Sequence, residues 1–229
     1  MNIHVDVSPP RLVRRLAAGA AVLVGLGLIV AFVRPRVTHG YAVRWLSLFD
    51  LDAEWNVASW YAVLLLLLAA TLLALAAAVS RRREERERRF TRHWAILAMI
   101  FVYLALDEGV GLHELLTRPM QSLVGGTGWL HFAWVIPFAA LAAVLLLVYL
   151  PFLAHLPRAT AVRFVVAGAL YVGGAIGMEL VGGATLDRPA VYPFIAVLEE
   201  GMELTGLVVF IAAIADHLRA TSDGIDLRW

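Results

Sequence analysis

The sequence predicts an all-α fold, a polytopic membrane bundle of about six transmembrane helices with both termini on the cytoplasmic side. Of the 229 residues, 61% are hydrophobic, and the mean hydropathy is +0.79, whereas soluble domains are about 45–50% apolar. Several apolar stretches reach the ~20 residues that a helix needs to cross about 30 Å of hydrocarbon. One bundle would use the whole length, so we predict a single domain over residues 1–229.

Composition also narrows the class of partner. The formal net charge is only +1, which argues against nucleic acid as a partner. All 19 basic residues are arginines. Because the chain has no cysteine, thiolate metal sites, cysteine nucleophiles and disulfides are excluded. The lipid bilayer is the one partner that the composition predicts directly.

Apolar runs place the six helices at about residues 16–33, 60–79, 94–116, 132–153, 162–181 and 192–217. Arg11, Arg14 and Arg15 precede the first run, as in a signal peptide, but no small-x-small pattern closes that run before Arg34. A retained first transmembrane helix is therefore predicted.

The segments between the helices carry interfacial signals. Residues 34–59 are rich in tryptophan, which favours a position along the lipid headgroups. The acidic residues Asp50, Asp52 and Glu54 resemble the start of a calcium loop, but the glycine and glutamate that would complete it are missing. An interfacial acidic turn is the preferred interpretation.

Arginine placement predicts the orientation, since cytoplasmic loops are enriched in basic residues. The segment between the second and third helices holds seven arginines, at positions 81, 82, 83, 86, 88, 89 and 92. The loops on the opposite side hold fewer, although Arg34, Arg36 and Arg44 run against the trend. The plasma membrane is the predicted location, with both termini inside.

Ionisable side chains in apolar surroundings mark the candidate site, because such groups are costly inside a membrane and are usually functional there. With the predicted orientation, three separate helices place carboxylates at similar depth in the outer half of the bundle. The first candidates are Glu108, His113, Glu114, Glu179, Glu200 and Glu203, and the secondary candidates are Asp107, Glu199 and His131.

So many carboxylates cannot all be ionised in a low dielectric, so they must share protons, pair with cations or bind a metal. Carboxylate and imidazole ligands suit iron, manganese or zinc, as in di-iron helical bundles. Those bundles use two Glu-x-x-His pairs, whereas this chain has Glu108-x-x-x-x-His113 and Glu200-x-x-Glu203. Neutral carboxyls that only join helices by hydrogen bonds remain an alternative.

Three functions stay open at this point. The first is a metal-binding membrane protein, as in a membrane metalloenzyme, with the six first candidates as ligands. The second is a proton- or cation-coupled transporter or channel that uses the same carboxylates; the lack of an internal repeat counts against a carrier. The third is an accessory subunit of a larger complex, in contact with partner membrane subunits or with copies of itself.

Five motifs carry a resemblance over nearly the whole chain. They are LFDLDAEWN at 48–56, LDE at 106–108 followed by HE at 113–114, WVIP at 134–137, YVGGAIGME at 171–179 and EEGME at 199–203. In these motifs the sequence resembles a family of uncharacterised bacterial six-helix integral membrane proteins. The resemblance implies a shared fold and a shared carboxylate set, and it implies no activity.

Overall fold

A computed structural model describes residues 9–37, 39–53, 55–82 and 88–221. Within these ranges the chain is helical and contains no β-strand, which confirms the predicted all-α class. The helices are α1 Pro9–Val33, α2 Tyr41–Ser47, α3 Val57–Arg81, α4 Thr91–Val110, α5 Thr117–Val124, α6 Val135–His155, α7 Arg158–Val172, α8 Glu179–Thr185 and α9 Tyr192–Thr221. Residues 1–8 and the charged segment at 83–87 lie outside the described residues.

Five helical segments of the described chain are long and apolar enough to cross a membrane. They are Pro10–Arg36, Val57–Arg81, Thr91–Val110, Val135–His155 and Arg158–Thr185. The last of these joins α7 to α8 through a π-helical turn at Gly173–Met178. Each segment has at least 20 residues, so each reaches about 30 Å at 1.5 Å per residue.

The centre of the bundle is α9, which packs against α1, α3, α7 and the π turn. Its side chains Leu204, Ile211 and Ile214 are fully buried. At Gly206 the backbone of α7 comes so close that a β-carbon would lie 2.8 Å from the carbonyl oxygen of Ala167. Small residues allow this kind of close helix packing in membrane bundles.

The α3–α4 pair forms the most extensive helix contact in the structure. Asn56 caps α3 by accepting a hydrogen bond from the Ser59 backbone N–H at 2.9 Å. A buried stripe of small and branched side chains, including Leu66, Ala69 and Leu73, recurs at helical spacing along α3.

One predicted helix ends earlier than expected. The third helix was predicted to run to about residue 116, but α4 ends at Val110 because Gly111 adopts the left-handed conformation that commonly terminates helices. The chain then forms a 3₁₀ turn, His113–Leu116, before α5. This break moves His113 and Glu114 off the axis of α4 and over the end of the bundle.

The segment between α1 and α3 reaches the bundle core at its acidic turn. Leu51 is buried, and it packs against α1 at Gly27, where a β-carbon would lie 2.5 Å from the leucine side chain. Trp45 and Trp55 stay exposed, as expected of residues at a membrane interface. Glu54, the last member of the predicted acidic turn, lies outside the described residues.

Candidate functional site

A cavity of about 680 Å³ lies among α4, α6, α7, the π turn and α9, with the loop before α3 at one end. The carboxylate cavity, as we call it, takes side chains from eight of the nine predicted site residues. They are Asp107, Glu108, His113, Glu114, Glu179, Glu199, Glu200 and Glu203. The ninth, His131, is exposed and does not line the cavity.

Asp107 and His113 form a tight local unit where α4 ends. The Asp107 carboxylate accepts a hydrogen bond from the His113 backbone N–H at 2.8 Å, and its second oxygen lies 3.1 Å from His113 Nδ1. The left-handed Gly111 turns the chain back so that both bonds form. Because Nδ1 is held by the carboxylate, the imidazole has a fixed orientation, and its ring contacts Trp134 with centroids 4.4 Å apart.

Glu179 is positioned by the π turn that precedes it. Its carboxylate accepts a hydrogen bond from Trp134 Nε1 at 3.0 Å, and it is also hydrogen-bonded to the Glu199 carboxyl of α9. Two carboxyl groups can form such a bond only when one of them carries a proton. The pair therefore holds a shared proton between α8 and α9.

Glu203 lies one turn further along α9, in contact with the π turn at Gly174. A β-carbon on Gly174 would come within 2.8 Å of both the Glu199 carbonyl oxygen and Glu203 Cγ. Glu203 also lies within electrostatic range of Glu108 and Glu200. The glycine is therefore what allows α9 to bring its carboxylates against the π turn.

The cavity carries no compensating arginine among its described lining residues, and the chain contains no lysine. Eight carboxyl groups, the seven named above and that of Asp52, and one imidazole thus face a space without an arginine in its described wall. A set of this kind is stable only when protons or bound cations offset its charge.

The predicted metal ligands surround the cavity, and they do not converge on one point. Among residues 9–37, 39–53, 55–82 and 88–221, no three histidine, aspartate or glutamate side chains are placed to hold a metal ion. Two local reasons are visible. Asp107 is hydrogen-bonded to His113, and Glu179 is hydrogen-bonded to Trp134 and Glu199.

Sequence reasoning missed several residues of the cavity wall. Asp52 reaches it from the loop before α3 and accepts a hydrogen bond from Tyr192 Oη at 2.5 Å. Trp134, Tyr103 and Tyr171 also line it. Asp52, Trp134 and Tyr171 belong to motifs that carried the family resemblance, which was the signal available for them, whereas Tyr103 and Tyr192 had none.

Burial raises the pKa of Asp52 above its ordinary value of 3.8, and the neighbouring Asp50 adds to that effect. The hydrogen bond from Tyr192 acts in the opposite direction. The loop therefore contributes a carboxyl group that retains its proton more readily than an exposed aspartate.

Comparison with known protein families gives a match over most of the chain. The model of a family described as a domain of unknown function (DUF8692) matches residues 15–218. No curated protein and no solved structure matches this chain. The match includes every residue that lines the carboxylate cavity. It also includes all five candidate membrane spans, apart from the first few residues of the span Pro10–Arg36. This chain belongs to the DUF8692 family.

Proposed function

We propose that this protein exchanges a cation for protons at the carboxylate cavity, as a proton-coupled membrane transporter. The observation that carries the proposal is the lining itself, with eight carboxyl groups and no arginine among the described residues of the wall. Two unit charges 4 Å apart repel each other by about 4 kcal/mol at an effective dielectric constant of 20. Protons bound to the carboxyl groups remove this repulsion when no cation is bound. An arriving cation supplies the positive charge that allows these protons to leave.

The shared proton between Glu179 and Glu199 is the first that we expect to be exchanged. A cation near this pair stabilises both groups as carboxylates, so the proton is released as the cation binds. Charge balances when one proton leaves for each positive charge that arrives. Asp107 acts as a positioning residue in this scheme, since it fixes the His113 ring beside Trp134.

The location that we propose is a bacterial plasma membrane, with α9 as the sixth span and both termini in the cytoplasm. The support is the arginine distribution, which is densest between α3 and α4. With that orientation the carboxylate cavity lies in the outer half of the bundle.

The experiment is proton flux in phosphatidylcholine liposomes that contain the protein and a trapped pH indicator. Sodium, potassium, calcium or tetramethylammonium chloride is added outside, and the internal pH is followed. We expect at least one of these cations to drive proton movement through the wild type. Glu199→Gln and Glu203→Gln should reduce the rate at least tenfold.

Asp216→Asn is the matched control, because Asp216 is an exposed α9 carboxylate outside the cavity that pairs with Arg163 at 2.5 Å. It should transport at the wild-type rate. Folded wild-type protein that moves no protons with any of the four cations would overturn the proposal. Equal rates in the wild type and both glutamine variants would overturn it as well.

A metal site is the second candidate, and the Asp107–His113 pair is the observation that favours it. Carboxylates often orient the imidazoles that bind metals in proteins. His113, Glu108, Glu114, Glu179, Glu200 and Glu203 would then supply ligands to iron, manganese or zinc after a rearrangement of side chains. Elemental analysis of purified wild type and Glu203→Gln tests this, with near-stoichiometric metal expected only in the wild type.

A further inference from the structure

The carboxylate cavity opens sideways between α4 and α6. The two helices meet near their inner ends, where Tyr149 Oη donates a hydrogen bond to the His93 carbonyl at 3.0 Å. The chain just beyond the outer end of α4 contacts the residue that precedes α6, where the rings of His113 and Trp134 lie with centroids 4.4 Å apart. Between these two contacts they have no extensive packing, since α4 packs on α3 and α6 packs on α7 and the π turn.

The side chains that border this gap belong to both the cavity and the outer surface. Met99 of α4 lines the cavity and is 67% exposed, and Leu141 of α6 lines it and is 50% exposed. Ile96 and Tyr103 are also exposed lining residues on the same face of α4. A residue can have both properties only where the cavity reaches the surface. We call the gap bordered by Ile96, Met99, Tyr103 and Leu141 the lateral window.

The lateral window is lined by apolar side chains along most of its length and by carboxylates at its outer end. From His93 to Asp107 the α4 axis rises about 21 Å at 1.5 Å per residue. Ala95, Ile100 and Leu104 line this stretch from α4, and Phe138 and Leu145 line it from α6. The carboxylates begin only at Asp107. An occupant that fits both parts has a hydrocarbon tail and a compact head that complements negative charge.

We propose that a single-chain amphiphile with a cationic head group reaches the carboxylate cavity from the bilayer through the lateral window. Its tail lies between α4 and α6, and its ammonium group lies among the glutamates and the rings of Tyr103 and Trp134. Aromatic faces attract ammonium groups, and they do so more strongly when the cation is desolvated. The cavity volume of about 680 Å³ lies within the range of about 300–1,000 Å³ that holds small-molecule ligands. This inference rests on the proposed function, because it names the class of cation that is exchanged.

The test uses a dodecyl trimethylammonium probe that carries a photoreactive diazirine in mid-chain, added to protein in phosphatidylcholine liposomes. After irradiation, mass spectrometry locates the labelled residues. We expect labels at Met99, Tyr103 and Leu141, removed by an excess of unlabelled dodecyltrimethylammonium. A probe with the same tail and a sulfate head should label these positions at least fivefold less.

Two tryptophan variants of α6 separate the window from the general lipid surface. Ala142→Trp fills the cavity side of the helix, since Ala142 lines the cavity, and it should reduce labelling at Met99 at least fivefold. Leu147→Trp is the matched control, because Leu147 is exposed and does not line the cavity. It should leave labelling unchanged.

Labelling that is spread evenly over lipid-facing residues, is not competed and shows no head-group preference would overturn the inference, even if Ala142→Trp failed to fold. Proton flux driven by the small cations is measured in the same liposomes. Proton flux without specific labelling would support the exchange function and overturn the proposal that the ligand is an amphiphile. Specific labelling without flux would assign a binding site and remove the transport function.

Discussion

At the scale of single residues, the Glu179–Glu199 pair determines how the cavity can respond to charge. The two carboxyl groups share one proton, and Trp134 donates a second hydrogen bond to Glu179. The pair therefore depends on one proton. A bound cation can replace that proton, and in a glutamine variant the side-chain amide N–H can donate the hydrogen bond instead. Substitutions at position 179 separate these possibilities from simple loss of packing.

Glu179→Gln should leave the protein nearly as stable as the wild type. The glutamine amide N–H₂ can donate to Glu199, and its oxygen can still accept from Trp134 Nε1. Glu179→Ala leaves the partly buried indole N–H without its acceptor, which costs about 1–3 kcal/mol. Thermal unfolding in detergent, followed by tryptophan fluorescence, measures both. Equal melting temperatures for the two variants would contradict the hydrogen-bonding role.

Asp52 gives a prediction about pH. The pKa of Asp52 in the folded protein is raised above its ordinary value of 3.8 by burial, so the folded state holds the proton more tightly than the unfolded state does. The contribution of Asp52 to the free energy of unfolding is therefore fully present below pH 3.8 and is lost as pH rises through the folded pKa of Asp52. Asp52→Asn removes this titration and should gain stability relative to the wild type between pH 4 and pH 7.

The measurement is the unfolding midpoint of both proteins at several pH values, with the difference between them as the readout. That difference cancels the other titrating groups. A constant difference across the range would show that burial does not perturb the pKa of Asp52.

Tyr192→Phe should lower the free energy of unfolding by about 1.5 kcal/mol at pH 7, since it removes a hydrogen bond to a carboxylate.

Individual site residues were predictable where an ionisable group interrupts an apolar run. Glu108, Glu179 and Glu203 could be identified in this way because the membrane makes such groups costly. Asp52 could not, since its position in the wall depends on a loop folded over the bundle and on Tyr192, 140 positions away in the chain. His131 was predicted to reach the site, but the turn around Gly128 leaves it exposed.

At the scale of secondary-structure elements, the π turn at Gly173–Met178 determines where the carboxylates of two helices meet. A π turn adds a residue to one helical turn and rotates the rest of the helix about its axis, and such turns are frequent at functional sites. Here the next residue is Glu179, and the turn packs against α9 at Gly174. Helical periodicity alone does not reveal such a turn, so the sequence predicted a helix at about 162–181 without it.

Gly174→Ala should destabilise the protein by about 1–3 kcal/mol, because the new methyl group would overlap the backbone of α9. It should also weaken proton flux by moving Glu199 and Glu203. Gly168→Ala, on the same helix and with nothing within 4 Å of the added atom, should be neutral or stabilising by up to about 1 kcal/mol. Unfolding midpoints of the two variants test this directly. Equal unfolding midpoints for the two variants would contradict the close packing proposed at Gly174.

The end of α4 shows a different limit of sequence reasoning. Gly111 is a usual helix terminator, but the charged and apolar residues beyond it continued the same pattern, and the helix was predicted to run to about 116. The bonds from Asp107 to His113 stabilise the break. They depend on a left-handed glycine and a carboxylate acting together, which a search for apolar periodicity does not consider.

At the scale of the whole molecule, the proposed topology is testable because the chain has no native cysteine. The single variants Arg82→Cys and Arg219→Cys should not react with a membrane-impermeant maleimide in intact cells. Ser122→Cys and Asp187→Cys should react with the same maleimide. Labelling of Arg219→Cys from outside would contradict both the sixth span and the cytoplasmic C-terminus.

The helical class of the whole molecule could be predicted because lipid permits few backbone arrangements, and length and hydropathy then locate the spans. The arrangement of those spans could not. Apolar positions surround most of each helix, so the sequence did not indicate that α9 would be central or that α6 would be separated from α4. Those choices come from close contacts such as that at Gly206.

The central position of α9 has a consequence for biogenesis. On insertion into lipid, one acidic side chain near the middle of an isolated helix costs on the order of 3 kcal/mol, and α9 carries three in its first half. The translocon would therefore not release this helix into lipid unaided. In the proposed six-span topology, α9 would insert into a cleft already formed by α1, α3 and α7. The helices synthesised earlier would then act as an intramolecular chaperone for the helix that carries the glutamates.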